Sequence, residues 1–337
     1  MKPKLKGLKD QVIVITGASS GIGRATARLA GERGAKVVAA ARSEDALRSL
    51  VEQIAAAGGE AVSVVADVGN EADVRRIAER AVERFGGFDT WVNNAGISIY
   101  GRVDEVPLED LRRLFDTNFW GVVHGSRGAA EHLRGRGGVI INIGSVVSDR
   151  AIPIQGMYSA SKFAVKGFTD VLRMELEERG DPIYVTLIKP GSINTPFTRR
   201  AKNYMPREPN LPPPVYAPDV VARAILRCAE RPERDVIVGG GGKQISSMET
   251  LAPRLTDKVM ERTMVSLQQK DAPGRPRNAH ALDKPSNDPH ERGDYDGHVA
   301  ETSAYTAARL HPLLAGALVL GAGAAVATFV KGTRERD

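Results

Sequence analysis

Seven short runs of apolar and β-branched residues, separated by stretches with apolar residues at three- and four-residue steps, constrain this chain more than any other feature. The runs are Val12 to Ile15, Lys36 to Ala41, Ala61 to Ala66, Thr90 to Val92, Val139 to Ile143, Ile183 to Ile188 and Asp235 to Val238. Alternation of strand-like and helix-like segments implies parallel strands covered by helices on both faces and joined by right-handed crossovers. The expected fold class is therefore α/β, a doubly wound parallel sheet of about seven strands, Rossmann-like in organisation.

With 337 residues, the chain is long enough for one large domain with appendages, and residues 1–265 are read as that domain. A formal net charge of +6 raises the question of nucleic acid. The arginines, however, are scattered along amphipathic stretches beside glutamates, and no basic run is interleaved with aromatics, so no nucleic-acid partner is expected. Cys228 is the single cysteine, which precludes an internal disulfide and a cysteine-based metal site, and the six histidines have no ligand spacing. No metal is expected. Met1 to Asp10 carries lysines without an apolar core behind them, unlike a secretory signal.

Beyond the domain the character changes. Asp271 to Gly297 is rich in proline, charge and asparagine, and residues 266–308 read as a largely disordered linker. An apolar helix is expected over 309–332. Its core, Leu313 to Val330, has no charged residue and would span about 27 Å as a helix. Two readings stand: a minimal membrane span, favoured by small residues at Ala317, Gly321 and Ala325 and by flanking basic residues, or a helix docking on protein. The charges around it leave its orientation open.

Between the first strand and the first helix lies Thr16-Gly17-Ala18-Ser19-Ser20-Gly21-Ile22-Gly23. Glycine lets the chain turn tightly and approach a phosphate, and a helix N-terminus offers unpaired N–H groups and partial positive charge. The other unusual polar positions also follow strands: Asp67 the third, Asn93 to Gly96 the fourth, Gly144 and Ser145 the fifth, Pro190 to Thr195 the sixth. In an open α/β sheet the carboxyl edge holds the ligand crevice, so these motifs converge. Tyr158 and Lys162, four apart on a helix, share a face. An ammonium beside a phenol favours the phenolate, and a phenol tuned in this way exchanges protons near neutral pH. Ser145, with no histidine and carboxylate spaced around it, reads as a polariser of a substrate oxygen rather than a nucleophile.

These residues, with Asp67-Val68, Asn118, Tyr158-Ser159-Ala160-Ser161-Lys162 and Pro190-Gly191, make the chain resemble the classical short-chain dehydrogenase/reductase family over about residues 8–240. That resemblance implies a catalytic set of Asn118, Ser145, Tyr158 and Lys162. Tyr158 would be the acid/base, Lys162 would also hold the nicotinamide ribose, and Asn118 would hold a water of a proton relay. It implies a dinucleotide held by Gly17, Ser19, Ser20, Gly21, Ile22, Gly23, Asp67, Val68, Asn94, Ala95, Gly96, Tyr158, Lys162, Pro190, Gly191, Ile193 and Thr195, with Asp67 at the adenine and Thr195 at the carboxamide. It also implies a homo-oligomer joined through the helices that carry Asn118 and Tyr158.

The second strand ends in Ala41-Arg42, where an NAD site places a carboxylate on the ribose 2′-hydroxyl. An uncharged residue removes repulsion of a 2′-phosphate, and the guanidinium can pair with it. The expected cofactor is NADP(H). Gly191 to Pro218 is a long, proline-rich segment carrying Phe197, Leu211 and Tyr216, which reads as a lid over a hydrophobic carbonyl or alcohol substrate. Arg199, Arg200 and Lys202 within it suit either recognition of an anion or simple solvation. An NAD(H)-dependent alcohol dehydrogenase and a non-catalytic, membrane-associated nucleotide-binding protein are the alternatives.

Overall fold

Strand β1 (Val12–Thr16) is buried along its whole length, and its side chains part to two cores. Ile13 and Ile15 join Val37, Ala39, Val221 and Ile225 on one face of the sheet. Val14 joins Val38, Ile77, Trp91 and Leu133 on the other. This period-two partition is what a parallel strand between two helical layers requires, and each fully buried Ile or Leu stabilises the fold by about 1.5–3 kcal/mol.

The computed structural model describes residues 4–241 and 252–310. After β1 come α1 (Gly21–Glu32), β2 (Lys36–Ala41), α2 (Glu44–Ala56), β3 (Glu60–Val65), α3 (Glu71–Phe85) and β4 (Thr90–Asn93). Then follow α4 (Leu108–Phe115), α5 (Gly121–Leu133), β5 (Gly138–Ile143), α6 (Gly156–Glu178), β6 (Ile183–Pro190), α7 (Pro218–Glu230) and β7 (Asp235–Val238). The sheet has seven strands in the order β7-β6-β5-β4-β1-β2-β3, and each neighbouring pair is parallel. The chain order reverses between β1 and β4. That switch point opens a crevice at the carboxyl ends of the strands, where ligands of such sheets bind.

A polar network pins the strands beneath the crevice. The Asn93 amide donates to Asn142 Oδ1 at 2.8 Å and to Ser126 Oγ at 3.0 Å, and accepts from Trp91 Nε1 at 2.8 Å. Asn142 in turn donates to Thr169 Oγ1 at 3.0 Å. All four polar residues are buried, so the network ties β4, β5, α5 and α6 in one register.

Past α8 (Pro253–Leu267), the structure differs from the largely disordered linker expected over 266–308. Gln269–Pro273 pairs antiparallel with Arg207–Pro209, and Val299–Ala300 lies parallel to Val215–Tyr216. Helix α9 (Ala304–Leu310) follows. Between these anchors the chain crosses the crevice mouth. Only Ala281 and Leu282 enter an apolar cluster, with Ile97, Ile99 and Leu114, and the remaining hold is polar, by backbone, ion pairs and the Ser43–Asn287 hydrogen bond. Periodicity is blind to a segment that borrows a surface built by the rest of the chain. Among the described residues, no helix is long and apolar enough to cross a membrane, and the expected apolar helix core at 313–330 lies outside them.

Candidate active site

The turn from β1 to α1 has to be bare. Gly17 and Gly21 adopt φ of +67° and +53°, in the left-handed region that glycine tolerates. A Cβ on Gly23 would lie 2.2 Å from the Gly17 carbonyl oxygen, and one on Gly17 would lie 2.7 Å from Ala95 Cα. Asn94 fastens this turn to the end of β4: its Nδ2 donates to Thr16 O at 2.9 Å and to Gly17 O at 3.3 Å. Thr16 Oγ1 accepts from the Asn94 and Ala95 N–H groups at 3.1 and 3.2 Å. A smooth backbone cradle that any added Cβ would fill fits the pyrophosphate of a dinucleotide.

Across the crevice, Ser145 closes β5 and caps a 3-10 turn over Val146–Ser148, accepting from Val147 N at 3.2 Å while Ser148 Oγ accepts from Ser145 N at 3.1 Å. Its hydroxyl is thereby held at the cavity wall, where it donates to Pro190 O at 3.5 Å and stands near enough to Tyr158 to lower its phenol. Tyr158 and Lys162 lie in the first two turns of α6. Burial pushes the Tyr158 phenol up to about 12, against a smaller lowering by Ser145. It also pushes the Lys162 ammonium down to about 8.

This differs from the expectation that the lysine lowers the tyrosine. Lys162 Nζ lies 5.8 Å from the Tyr158 ring centroid and donates instead to Ile143 O at 2.9 Å, so desolvation dominates both groups. Asn118 sits in a π-helical turn, Asp116–Trp120, where α4 passes into α5. Its Oδ1 accepts from Ile97 N at 2.8 Å, and its Nδ2 donates to Ile97 O at 2.9 Å and Ser161 Oγ at 3.1 Å. A wide turn of this kind is common at functional sites, and here it turns an amide onto the strand end beside Gly96.

At the far end of the crevice Asp67 pairs with Arg113 and accepts from Gly69 N at 3.0 Å, which holds its carboxyl below the usual range despite burial. Arg42 lies 4.0 Å from Asp67, and its guanidinium donates to the carbonyl oxygens of Leu282, at 2.9 Å, and Ala281.

One cavity of about 440 Å³ joins these parts. Of the residues expected from sequence, Gly17, Ser19, Ser20, Gly21, Ile22, Arg42, Asp67, Val68, Asn94, Ala95, Gly96, Ser145, Tyr158, Lys162, Pro190, Gly191, Ile193 and Thr195 line it. Gly23 and Asn118 stand behind its wall, Gly23 packed under the turn and Asn118 behind Gly96 and Ile97. The substrate end is apolar, with Tyr100, Val147, Ile152, Phe197, Leu211 and Met264, and Phe197 meets Tyr158 edge-on at 5.6 Å between ring centroids. Sequence reasoning missed Gln155, which lines the cavity one turn before Tyr158 and donates to Ser98 Oγ at 2.9 Å. It also missed Ala281, Pro285 and Ser286, which enter the wall from the C-terminal segment with no periodic signal.

A bare phosphate turn at the switch point of a parallel sheet, facing a buried serine, a partly buried tyrosine and a buried lysine, defines an oxidoreductase scaffold for a nicotinamide dinucleotide. The family profile described as short chain dehydrogenase matches residues 11–205. The chain is 49% identical over 323 residues to the uncharacterized oxidoreductase YxnA of Bacillus subtilis, covering 95% of this chain and 91% of that one. A short-chain dehydrogenase/reductase from Burkholderia phymatum, solved in complex with NAD, superposes with a TM-score of 0.67 at 28% identity, over 75% of this chain and 96% of that one. An alcohol dehydrogenase from Thermococcus sibiricus, complexed with 5-hydroxy-NADP, does so with a TM-score of 0.60 at 27% identity, over 67% and 95%. The chain belongs to the short-chain dehydrogenase/reductase family.

Proposed function

We propose that the protein is an NADP(H)-dependent oxidoreductase that interconverts a carbonyl group and a secondary alcohol on a hydrophobic small molecule. The convergence of Ser145, Tyr158 and Lys162 on one cavity beside the phosphate turn carries this reading, because it brings two hydroxyl donors and a cation to the wall of a largely apolar space. The bare turn from Gly17 to Gly23 would hold the pyrophosphate, Asp67 and Val68 the adenine, Asn94 to Gly96 the underside, and Pro190 to Thr195 the carboxamide end. When bound, the dinucleotide supplies or accepts the hydride.

In the reducing direction, Ser145 and Tyr158 donate to the substrate carbonyl oxygen, and Tyr158 hands over its proton as negative charge develops there. A phenol held at about 12 keeps that proton at neutral pH, as a general acid must. Lys162, still largely an ammonium at pH 7, stabilises the phenolate left behind and binds the ribose hydroxyls. Asn118, fixed on Ile97 in the π-helical turn, positions the inner wall through which the proton is replaced. Oxidation runs the same transfers backwards. Arg42 after the uncharged Ala41 is the basis for choosing the phosphorylated cofactor.

A panel of hydrophobic ketones assayed with NADPH and with NADH tests the reading. The expected result is a kcat/KM at least about tenfold higher with NADPH, the worth of one charge-assisted contact. Equal efficiency with NADH contradicts the cofactor assignment. Exposed Phe163, Val171 and Met174 on one face of α6, with Trp120 beside α5, support self-association. Sedimentation velocity at micromolar protein should show a dimer or larger species, and a monomer contradicts that part.

A further inference from the structure

The lid that follows β6 contains a four-residue helix, Phe197–Arg200, whose last residue reaches back across the mouth to Ser20 of the phosphate turn. The Arg200 guanidinium donates to Ser20 Oγ and to the carbonyl oxygen of Asp288, while among the described residues its Nε is buried without a hydrogen-bond partner. Buried donors of this kind cost free energy unless something accepts from them.

Arg42, on the β2 side, lines the same cavity as Arg200, and burial lowers the affinity of each guanidinium for its proton. Of the carboxylates at the mouth, Asp288 is held by Arg199, and Asp67 is held closely by Arg113 with Arg42 only at the 4.0 Å limit of an ion pair. What the two guanidiniums hold instead is backbone carbonyl oxygen, from Ala281 and Leu282 on Arg42 and from Asp288 on Arg200. The Gly21 N–H at the start of α1 is occupied in the same way, donating to His290 O at 3.0 Å. Neutral acceptors from one segment thus sit on cationic and N–H donors of the crevice, and none of them cancels the charge.

We propose that Arg200 is a specificity-determining residue that joins Arg42 in a two-guanidinium cradle for the 2′-phosphate of NADP(H), with the carbonyl oxygens of residues 281–290 standing in for phosphate oxygens until the cofactor binds. The inference rests on the NADP(H) reading and deepens it. A dianionic phosphate brings the charge that the carbonyls lack and acceptors for the free Nε, and the planar fork of each arginine suits it. The C-terminal segment moves off Arg42 and Arg200 as the phosphate takes its place.

Calorimetry on the full-length protein tests this with NADPH, NADH and 2′,5′-ADP as titrants, against wild type, Arg200→Gln and Arg42→Gln. Arg200→Gln should weaken NADPH and 2′,5′-ADP by about 10- to 100-fold and leave NADH within about twofold, as loss of a charge-assisted contact confined to the phosphate predicts. Arg42→Gln should keep a residual preference for NADPH, supplied by Arg200, which decides the matter even if the Arg200 variant does not fold. Equal weakening of NADPH and NADH in Arg200→Gln makes Arg200 a lid-packing residue and overturns the proposal, as does an Arg42→Gln protein with no preference left. A wild type that binds NADH as tightly as NADPH removes the cofactor reading itself, whereas a preference intact in both wild type and Arg200→Gln removes the Arg200 assignment alone.

Discussion

The carboxyl rim of the sheet and the C-terminal segment that crosses it face the same cavity but are held by different forces. At the rim, glycines without room for a Cβ, a closed network of buried amides and strands buried in two cores place Ser145, Tyr158 and Lys162 on rigid elements. The crossing segment buries little apolar surface. It is held by Arg28 paired with Glu291, Arg199 with Asp288, and carbonyl oxygens on Arg42 and Arg200. On the proposed function, chemistry that needs sub-ångström placement would sit on the first kind of structure, and access to the cofactor would be left to the second, whose polar contacts exchange readily with water and salt.

The sharpest way to break that contrast is at the turn. Gly23→Ala forces a Cβ against Gly17 O and the Asn94 amide, 2.2 and 2.5 Å away, and should abolish measurable dinucleotide binding by fluorescence titration while costing about 1–3 kcal/mol in urea unfolding. Unchanged binding would show that the cradle is softer than described. Next comes the amide network. Asn93→Ala strands Trp91 Nε1, takes one of two donors from Asn142 Oδ1 and should destabilise by about 2–4 kcal/mol, and a loss under about 0.5 kcal/mol would mean that water replaces the amide freely.

On the segment side the effects are smaller. Glu291→Gln removes a two-pronged contact with a mostly buried Arg28 and should cost no more than about 1 kcal/mol of global stability. Limited proteolysis should nevertheless cut the variant faster between residues 281 and 293, and an unchanged cleavage rate there would place the segment with the rigid part.

The least conspicuous effect is a pH slope. Lys162 in the folded protein titrates near 8, below its ordinary 10.5, so between those values the unfolded chain binds more protons and stability rises with pH. Tyr158 is raised from 10.0 to about 12, so between those values the folded chain keeps a proton that the unfolded chain has lost, and stability falls. Thermal melts of the cofactor-free protein from pH 7.5 to 11 should show a rise and then a decline. Lys162→Leu should remove the rise, and a rise that persists would assign it to another group.

Much of this was legible in the amino-acid sequence for a physical reason. Val12 to Ile15 and its six counterparts each reappear as a sheet strand within a residue or two, the inner ones because a strand buried on both faces must be apolar throughout, and the half-exposed edge strand β3 through its valines. Strand-end polar residues converge because parallel strands carry all their carboxyl ends to one edge. Asn118 was placed on a helix, but the π-helical turn that aims its amide at Ile97 leaves no mark on side-chain spacing. Ala281, Ser286 and Asp288 were invisible, since a stretch of prolines and charges that docks through its backbone has the composition of a free linker. Arg200 was read only as one of three lid cations, because its approach to Ser20 is a tertiary fact.

The proposed function turns on the Tyr158 hydroxyl delivering the proton while the rest of the crevice holds the dinucleotide. A single-turnover measurement on Tyr158→Phe, with NADPH affinity determined on the same preparation, tests it most directly. Affinity should stay within about threefold of wild type while the reduction step slows by about 10²- to 10⁴-fold, the range of a lost general acid. A variant that binds NADPH and reduces substrate at the wild-type rate would contradict the account.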